Sequence, residues 1–239
     1  MTSSQQPTAG QQRALRETPR GTLETVRIWL LGGFRISVGS SRSIGEDEWR
    51  LRKAGSLIKL LALAPGHRLH REQAMDLLWP ELTSEAAANN LHHALHIARR
   101  TLEPSAPAGA ASGCLHLRGE RLALYPDGTL WVDVEAFEEA ATAARHALEA
   151  AAFRAAIDLY AGELLPQDRY EGWVEERRAQ LRGLYLSLLV ELAGLYEEHG
   201  ELGPAIEALS RAVAEEPTHE GRTWGSCACT PSRGGGGRL

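Results

Sequence analysis

The residues best suited to chemistry in this 239-residue sequence are concentrated between positions 92 and 100. His92, His93 and His96 are followed by Arg99 and Arg100. An imidazole can donate or accept a hydrogen bond, and a guanidinium binds phosphate oxygens through several N–H groups. Such side chains suit the base edges and phosphates of double-stranded DNA if one helix presents them together. The alternative is that each is a solvated surface group.

Five further basic residues extend this candidate set to neighbouring segments. Arg118 and Arg121 lie at the tip of a predicted hairpin, where they add two positive charges. Arg52, Lys53 and Arg71 lie at the N-terminal ends of predicted helices, where they could hold phosphates. The same alternative of a solvated charge applies to each of them.

A metal site is a second interpretation of the histidines, because a helix would bring His92 and His96 to one face. No glutamate completes an HExxH arrangement, and no cysteine or aspartate lies nearby, so we predict neither a metal nor a cofactor. Cys114, Cys227 and Cys229 are an odd number without zinc-ligand spacing. We find no nucleophile elbow and no paired carboxylates, and therefore expect that the protein is not an enzyme.

The elements that must position these residues follow a definite order. They are two strands (26–31 and 34–38), three helices (51–63, 71–78 and 83–102) and a hairpin (114–117 and 121–125). A strand pair, three helices and a closing hairpin constitute a winged helix-turn-helix domain. In that arrangement helix 85–102 and hairpin 114–125 carry the candidate residues.

The third helix has an apolar face and a polar face. Its apolar residues recur at steps of four, three and four, and we expect them to be buried; they are Leu91, Leu95, Ala98 and Leu102. The imidazoles and guanidiniums then project from the other faces. Thr83 is a suitable N-cap for this helix. His70 and Gln73 occupy positions where the capping box of the preceding helix normally has Ser and Glu.

From residue 134 onward the sequence is alanine-rich and predicted to be helical. Two apolar stripes are expected to be buried; they are Phe137, Ala140, Ala141, Ala144 and Leu148, and then Phe153, Ala156, Ile157 and Tyr160. Residues 186–219 fit the 34-residue frame of a tetratricopeptide repeat, and residues 153–165 look like part of an upstream repeat. The predicted fold class is therefore mainly α with small β-hairpins: a winged helix followed by stacked helical repeats.

The charge is distributed unevenly between the two halves. Residues 1–132 carry 16 Lys and Arg against 12 Asp and Glu, a net charge of +4, whereas residues 133–239 carry 10 against 19, a net charge of −9. A basic front and an acidic back are typical of a DNA-contacting domain joined to a protein-facing domain. We expect a disordered tail (1–22), a winged-helix domain (23–130), a helical repeat domain (131–221) and a second tail (222–239).

Several runs of residues resemble the antibiotic regulatory proteins of actinomycete type. Residues 30–34 (LLGGF), 53–63, 69–73 (LHREQ), 77–80 (LLWP) and 89–102 are similar to the OmpR-like winged helix at the front of that family. Residues 133–137 (DVEAF), 162–166 (GELLP) and 171–174 (EGWV) resemble the bacterial transcriptional activator domain that follows it.

The resemblance implies that helix 85–102 enters the major groove, that the 114–125 wing contacts the minor groove, and that paired copies bind direct repeats. It implies that the activator domain mediates self-association and contacts with partners, among which RNA polymerase is a candidate. No apolar run resembles a signal peptide or membrane span, so a cytoplasmic, nucleoid-associated protein is expected.

The last segment, residues 222–239, leaves the helical periodicity in the middle of an expected repeat. One legal back-translation, read two bases later, encodes DVGLMRLYALAGRRGEA, which is typical of a repeat helix. We therefore expect a frameshifted, disordered remnant of a longer protein. Its glycine run, Gly234 to Gly237, is followed by Arg-Leu rather than Lys-Ser/Thr and is not a phosphate loop.

The function that the sequence predicts is a sequence-specific DNA-binding transcriptional regulator that acts as an activator. The alternative is a protein-interaction scaffold in which the repeats act and the winged helix no longer binds DNA. Binding that weakens steeply with salt would distinguish the first from the second.

Overall fold

The computed structural model describes residues 25–39, 42–107, 112–126 and 128–215. Its strands are β1 (Val26–Trp29), β2 (Arg35–Val38), β3 (Arg42–Gly45), β4 (Arg68–His70), β5 (Leu115–Arg118), β6 (Arg121–Leu124) and β7 (Leu130–Val132). Its helices are α1 (Arg52–Leu63), α2 (Arg71–Leu78), α3 (Ser84–Leu102), α4 (Asp133–Ala147), α5 (Ala150–Leu159), α6 (Gly172–Glu198) and α7 (Leu202–Glu215). The predicted fold class is confirmed: small β-sheets and three helices precede a helical domain.

The first sheet has the strand order β3-β2-β1-β7, and only the β1–β7 pair is parallel. Residues opposite one another on its inner face are β-branched and fully buried: Ile28 pairs with Ile36 and Val132, and Ile36 pairs with Ile44. Alternation along each strand places polar and aromatic residues on the other face. The sheet is thus buried on one side only.

Helix α1 lies at the centre of the winged-helix domain. Nine of its twelve residues are buried, and it contacts α2, α3 and β6. The second sheet, of order β4-β6-β5, lies beside these helices, with Leu122 of β6 completely buried. A helix covered on nearly all sides must be the packing core of its domain, so α1 fixes where α3 and the β5–β6 hairpin lie.

Both predicted helix caps are present. Thr83 Oγ1 accepts a hydrogen bond from the N–H of Ala86 at the start of α3. At the start of α2, His70 Nδ1 accepts from the N–H of Glu72 while Gln73 Oε1 accepts from the N–H of His70. An imidazole and an amide therefore form the reciprocal capping box that Ser and Glu usually form.

The helical domain comprises α4 to α7, and contacts link α4 to α5, α5 to α6 and α6 to α7. Leu148, expected on the buried stripe of α4, is instead 66% exposed, because the helix ends there in a left-handed conformation (φ 54°). The other expected members of both stripes are buried or half-buried. Helix α6 begins at Gly172, well before the predicted repeat frame, and Gly200 (φ 76°) makes the turn into α7.

Three strands were not predicted from the sequence: β3, β4 and β7. Each has only three or four residues, and β4 and β7 pair with strands that are distant in the sequence. The parallel pairing of β7 with β1 has a structural consequence. It brings the end of the winged-helix domain back to its first strand, directly before α4 begins at Asp133.

Three of the sequence runs that carried the family resemblance meet at one point, the domain junction. The buried carboxylate of Asp133 accepts hydrogen bonds from the N–H groups of Leu30 (2.8 and 3.0 Å) and Leu31 (2.9 Å). The N–H of Leu165 donates to the carbonyl of Leu30, and the N–H of Gly32 donates to the carbonyl of Glu163, both at 2.9 Å. The junction is therefore held by the Asp133 carboxylate together with backbone groups of runs 30–34 and 162–166.

Two glycines allow the chain segments at this junction to approach closely. Gly32 has φ 78°, and a Cβ there would lie 3.0 Å from the carbonyl oxygen of Ala161. Gly162 has φ 148°, and a Cβ there would lie 3.1 Å from Cα of Gly32. A side chain at either position would therefore strain the backbone and require the facing segment to shift by a few tenths of an ångström. Within the described residues, no helix is both long and apolar enough to cross a bilayer.

Candidate nucleic-acid interface

Helix α3 has the two faces that its sequence predicted. Its buried residues are Ala87, Leu91, Ala94, Leu95, Ala98 and Leu102. His92, His93, His96 and Arg100 are exposed on the other side. The Thr83 cap satisfies a free amide at the start of the helix, and α1 and α2 pack against its buried face. The polar face is consequently rigid and open to solvent.

Sequence reasoning did not single out two exposed amides on this helix, Asn89 and Asn90. Asn89 lies one turn before His92 and His93, so a continuous exposed row runs from Asn89 through His96 to Arg100. An asparagine amide can make paired hydrogen bonds with adenine. The helical spacing was the available signal, and it would have found Asn89 if the exposed face had been followed toward the N-terminus.

The β5–β6 hairpin forms the wing. Arg118 and Arg121 pair directly across its two-residue turn, and both are exposed. Gly119 adopts φ 58° in that turn, a conformation that favours glycine. Two guanidiniums opposite each other repel, so an anion bound between them would be stabilised by both. On β4, His70 pairs with Arg121, and exposed Arg68 lies two residues before it.

Arg99 connects helix α3 to the wing. Its Nε donates to the carbonyl oxygen of Leu115 at 2.9 Å, and the side chain is half-buried. Its neighbour Arg100 is exposed, and Nη1 donates to the carbonyl of Ala106 at 3.2 Å. Arg99 thus fixes the hairpin relative to α3, whereas Arg100 retains free donors on the open side.

Three other predicted phosphate contacts have partners within the protein. Arg71 forms an ion pair with Glu120 in the wing turn. Arg52 and Lys53, at the start of α1, face the helical domain. Arg52 Nη2 lies 3.5 Å from Asp168 and 3.6 Å from Glu171. Lys53 Nζ lies 3.3 Å from Glu171.

These contacts assign Arg52 and Lys53 to the domain junction rather than to the surface formed by α3 and the wing. Glu171 also accepts from Trp173 Nε1 at 3.2 Å, so the run 171–174 is part of the same junction. This pairing was not predictable from local sequence patterns, because the partners are more than one hundred residues apart.

Among the described residues, no group of three or more His, Cys, Asp and Glu side chains is placed to hold a metal ion. Cys114 is buried next to the wing, and burial raises the pKa of its thiol to about 12, which makes it unreactive at neutral pH. Cys227 and Cys229, and the whole 222–239 segment, lie outside the described residues.

A winged helix joined to a domain of packed helices is an architecture of bacterial transcription regulators, and comparisons with known proteins support that class. Residues 132–229 match the sequence profile of the bacterial transcriptional activator domain. The helical part of the chain therefore matches a domain of this family.

A solved structure of Mycobacterium tuberculosis EmbR in complex with a low affinity phosphopeptide is similar in fold. The TM-score is 0.51 at 17% sequence identity, and the alignment covers 79% of this chain and 59% of the EmbR chain. The chain therefore spans less than two thirds of that protein. Comparison with curated proteins gave no significant match. The profile match and the similarity in fold to EmbR together confirm the resemblance to the antibiotic regulatory proteins of actinomycete type.

Proposed function

We propose that the protein is a sequence-specific DNA-binding transcriptional regulator that activates its targets. Helix 85–102 reads the major groove, and the 114–125 wing contacts the adjacent minor groove. The observation that carries this proposal is the uninterrupted exposed row on α3 beside an exposed arginine pair on the wing. A major groove about 12 Å wide admits one helix, and a protruding hairpin then reaches the neighbouring backbone.

The residues divide into base-reading and phosphate-binding groups. Asn89, His92, His93 and His96 occupy the leading and middle turns of α3, where side chains reach base edges in such domains. The arginines placed for phosphates are Arg68, Arg100, Arg118 and Arg121. Arg71 and Arg99 act by positioning the wing, through Glu120 and the carbonyl of Leu115. We propose that the protein acts by binding DNA, without enzymatic activity and without a metal or cofactor.

The helical domain is proposed to mediate self-association and to contact RNA polymerase. Support comes from its family, the bacterial transcriptional activator domain. The proposed domains are a winged-helix domain within residues 23–130 and a helical domain that begins at residue 131. The protein is proposed to be cytoplasmic and associated with the nucleoid. The domains are expected to move as one body, because Asp133 and the β1–β7 pairing join them through buried hydrogen bonds.

One observation favours the alternative function, a protein-interaction scaffold without DNA binding. Five of the ten predicted DNA contacts already bind partners within the protein; they are Arg52, Lys53, Arg71, Arg99 and Arg100. Six predicted contacts and the additional Asn89 are nevertheless exposed, and they lie on two adjoining elements.

The test is selection of binding sites from a pool of random DNA duplexes, followed by fluorescence anisotropy at several salt concentrations. If four arginines each neutralise one phosphate, affinity should fall about 10²-fold between 50 and 200 mM salt. A selected sequence should bind at least about 10³-fold more tightly than its scrambled version. Failure to enrich any sequence, with weak binding to all duplexes, would favour the scaffold.

A further inference from the structure

The outer face of the first sheet carries a basic and aromatic patch that the proposed DNA contacts do not use. Arg27 and Trp29 of β1, Arg35 of β2 and Trp131 of β7 form this patch, here called the sheet patch. The strand register places Arg27 beside Trp131 and Trp29 beside Arg35. Both arginines are exposed and both tryptophans are half-buried.

The side chains of the sheet patch contact one another but have no acidic partner among the described residues. Arg35 Cζ lies 4.1 Å from the centroid of the Trp29 ring, and the Trp29 and Trp131 ring centroids are 5.6 Å apart. Arg27 and Arg35 form no ion pair within the described part of the chain. Arginine and tryptophan are the residue types most enriched where proteins bind one another. The patch therefore has the composition of an unoccupied protein interface.

A second surface, which no other described residue covers, lies on α7 at the end of the described part of the chain. Its inner residues, Ala205, Ala208 and Ala212, are buried against α6. Its outer stripe is aliphatic and exposed; the residues and exposed fractions are Leu202 (64%), Ile206 (64%), Leu209 (37%) and Val213 (73%). Their spacing of four, three and four aligns them on one face. Such a row of aliphatic side chains on a helix is a typical binding surface.

Three carboxylates lie at the beginning of this aliphatic stripe. Glu197 and Glu198 end α6, and Glu201 directly precedes α7; all three are exposed and none forms an ion pair within the described residues. Acidic residues at a helix C-terminus are unfavourable with respect to its dipole, so they do not stabilise α6 itself. The three carboxylates and the α7 stripe are here called the acidic patch.

We propose that the sheet patch of one copy binds the acidic patch of a second copy. The two guanidiniums would pair with the carboxylates, and the two indole rings would cover the aliphatic stripe. The net charges agree with this choice of partner, since residues 1–132 carry +4 and residues 133–239 carry −9.

The sheet patch is large enough to cover about two thirds of the aliphatic stripe. Three neighbouring strands span about 10 Å at their usual spacing. The stripe from Leu202 to Val213 spans about 16 Å at 1.5 Å per residue. Because the two patches are different, the contact joins copies head to tail. Helix α3 contributes to neither patch.

The test uses two charge-reversed variants of the full chain without DNA. The sheet variant is Arg27→Glu/Arg35→Glu, and the acidic variant is Glu197→Lys/Glu198→Lys/Glu201→Lys. All five residues are exposed, and circular dichroism with thermal unfolding verifies that each variant folds. In sedimentation velocity the wild type should self-associate, and each variant alone should do so with a dissociation constant at least about tenfold higher, since like charges then face each other.

An equimolar mixture of the two variants is the decisive sample. The native sheet patch of the acidic variant can bind the native acidic patch of the sheet variant, and the two charge-reversed patches can also bind each other. The dissociation constant of the mixture should therefore return to within a few-fold of the wild-type value. The proposal is overturned if the wild type stays monomeric up to about 0.5 mM, which would leave residues 216–239 or another protein as the occupant. It is also overturned if either variant associates normally, or if the mixture does not recover. None of these outcomes depends on whether the protein binds DNA.

Discussion

Lys59 and Asp168 form a buried ion pair between the two domains: Nζ lies 2.6 Å from Oδ2, and both side chains are 1% exposed. Lys59 is on α1 of the winged helix, and Asp168 lies in the short turn before α6. The ammonium also lies 2.7 Å from Oε1 of Glu46 and 4.7 Å from the centroid of the Phe34 ring. The ammonium charge is thus stabilised by two carboxylates and an aromatic ring. The Lys59–Asp168 pair connects the winged-helix domain, which carries α3, to the helical domain.

Lys59→Met should lower the free energy of unfolding by about 3–5 kcal/mol, because it leaves the Asp168 carboxylate buried without its cation. The double variant Lys59→Met/Asp168→Leu should recover most of that loss, since the buried carboxylate is removed with its cation and Glu46, 37% exposed, is hydrated. Urea unfolding followed by circular dichroism measures both.

Arg52→Ala provides the matched control, because its side chain is 62% exposed and lies 3.5 Å from the other oxygen of Asp168. Its cost should stay below about 1 kcal/mol. If Lys59→Met costs no more than Arg52→Ala, the buried pair does not hold the domains together.

The sequence predicted the helices of the winged-helix domain but not the Lys59–Asp168 pair. The physical reason is that the helices depend on local sequence, whereas the pair joins residues far apart in the chain. Helices α1, α2 and α3 have apolar periodicity and caps within their own segments, so local pattern was sufficient. Nothing local distinguishes Lys59 from a solvated lysine, since its burial depends on a turn 109 residues away. The strands β3 and β7 were missed for the same reason, because such short strands are defined by their pairing partners.

The candidate site divides in the same way. The exposed histidines of α3 and the arginine pair of the wing follow from spacing within one helix and one hairpin. The contacts of Arg52 and Lys53 with Glu171, and of Arg99 with Leu115, depend on how separate elements pack. A basic residue at a helix end can serve either a phosphate or a neighbouring carboxylate, and sequence alone did not distinguish the two.

Asp133 should make stability depend on pH in an unusual direction. Burial raises its pKa from 3.8 to about 6, although N–H groups of Leu30 and Leu31 hydrogen-bond the carboxylate. Between about pH 4 and pH 6 the folded state binds a proton that the unfolded state has lost, so stability falls as pH rises through this range. The full effect is at most about 3 kcal/mol, from about two pKa units.

The variant Asp133→Asn isolates this effect because its amide does not titrate. As pH rises from 4 to 7, the wild type should lose stability relative to Asp133→Asn. Urea unfolding of both proteins at each pH measures this difference in free energy of unfolding. Asp158→Asn, at an exposed site on α5, serves as the control for losing a carboxylate. A wild-type and Asp133→Asn pair with parallel pH profiles would contradict the predicted titration.

Arg99→Ala should weaken binding to all DNA sequences by displacing the wing. The variant loses the hydrogen bond from Nε to the carbonyl of Leu115, which costs about 1.5–3 kcal/mol of stability for a charged donor. Arg99→Lys separates positioning from charge, because lysine keeps the charge but lacks the planar fork. If Arg99 positions the wing, lysine should behave like alanine in both urea unfolding and DNA affinity. Near-normal behaviour of Arg99→Lys would instead indicate a phosphate contact.

Variants of α3 and of the wing should change different properties of DNA binding. Asn89→Ala and His92→Ala should relax the preference at one or two base pairs of a selected site, by about 1–3 kcal/mol each, because a base edge loses its partner. Arg118→Ala should instead weaken binding similarly on every sequence and reduce the salt slope by about one, because it removes a phosphate contact. Anisotropy titrations against all single-base variants of the selected site, at three salt concentrations, measure both quantities. Arg154→Ala, at an exposed site on α5 of the helical domain, is the control and should leave both unchanged. If His92→Ala and Asn89→Ala alter only overall affinity, then α3 lies along the DNA backbone, and specificity must come from the wing or from the shape of the DNA.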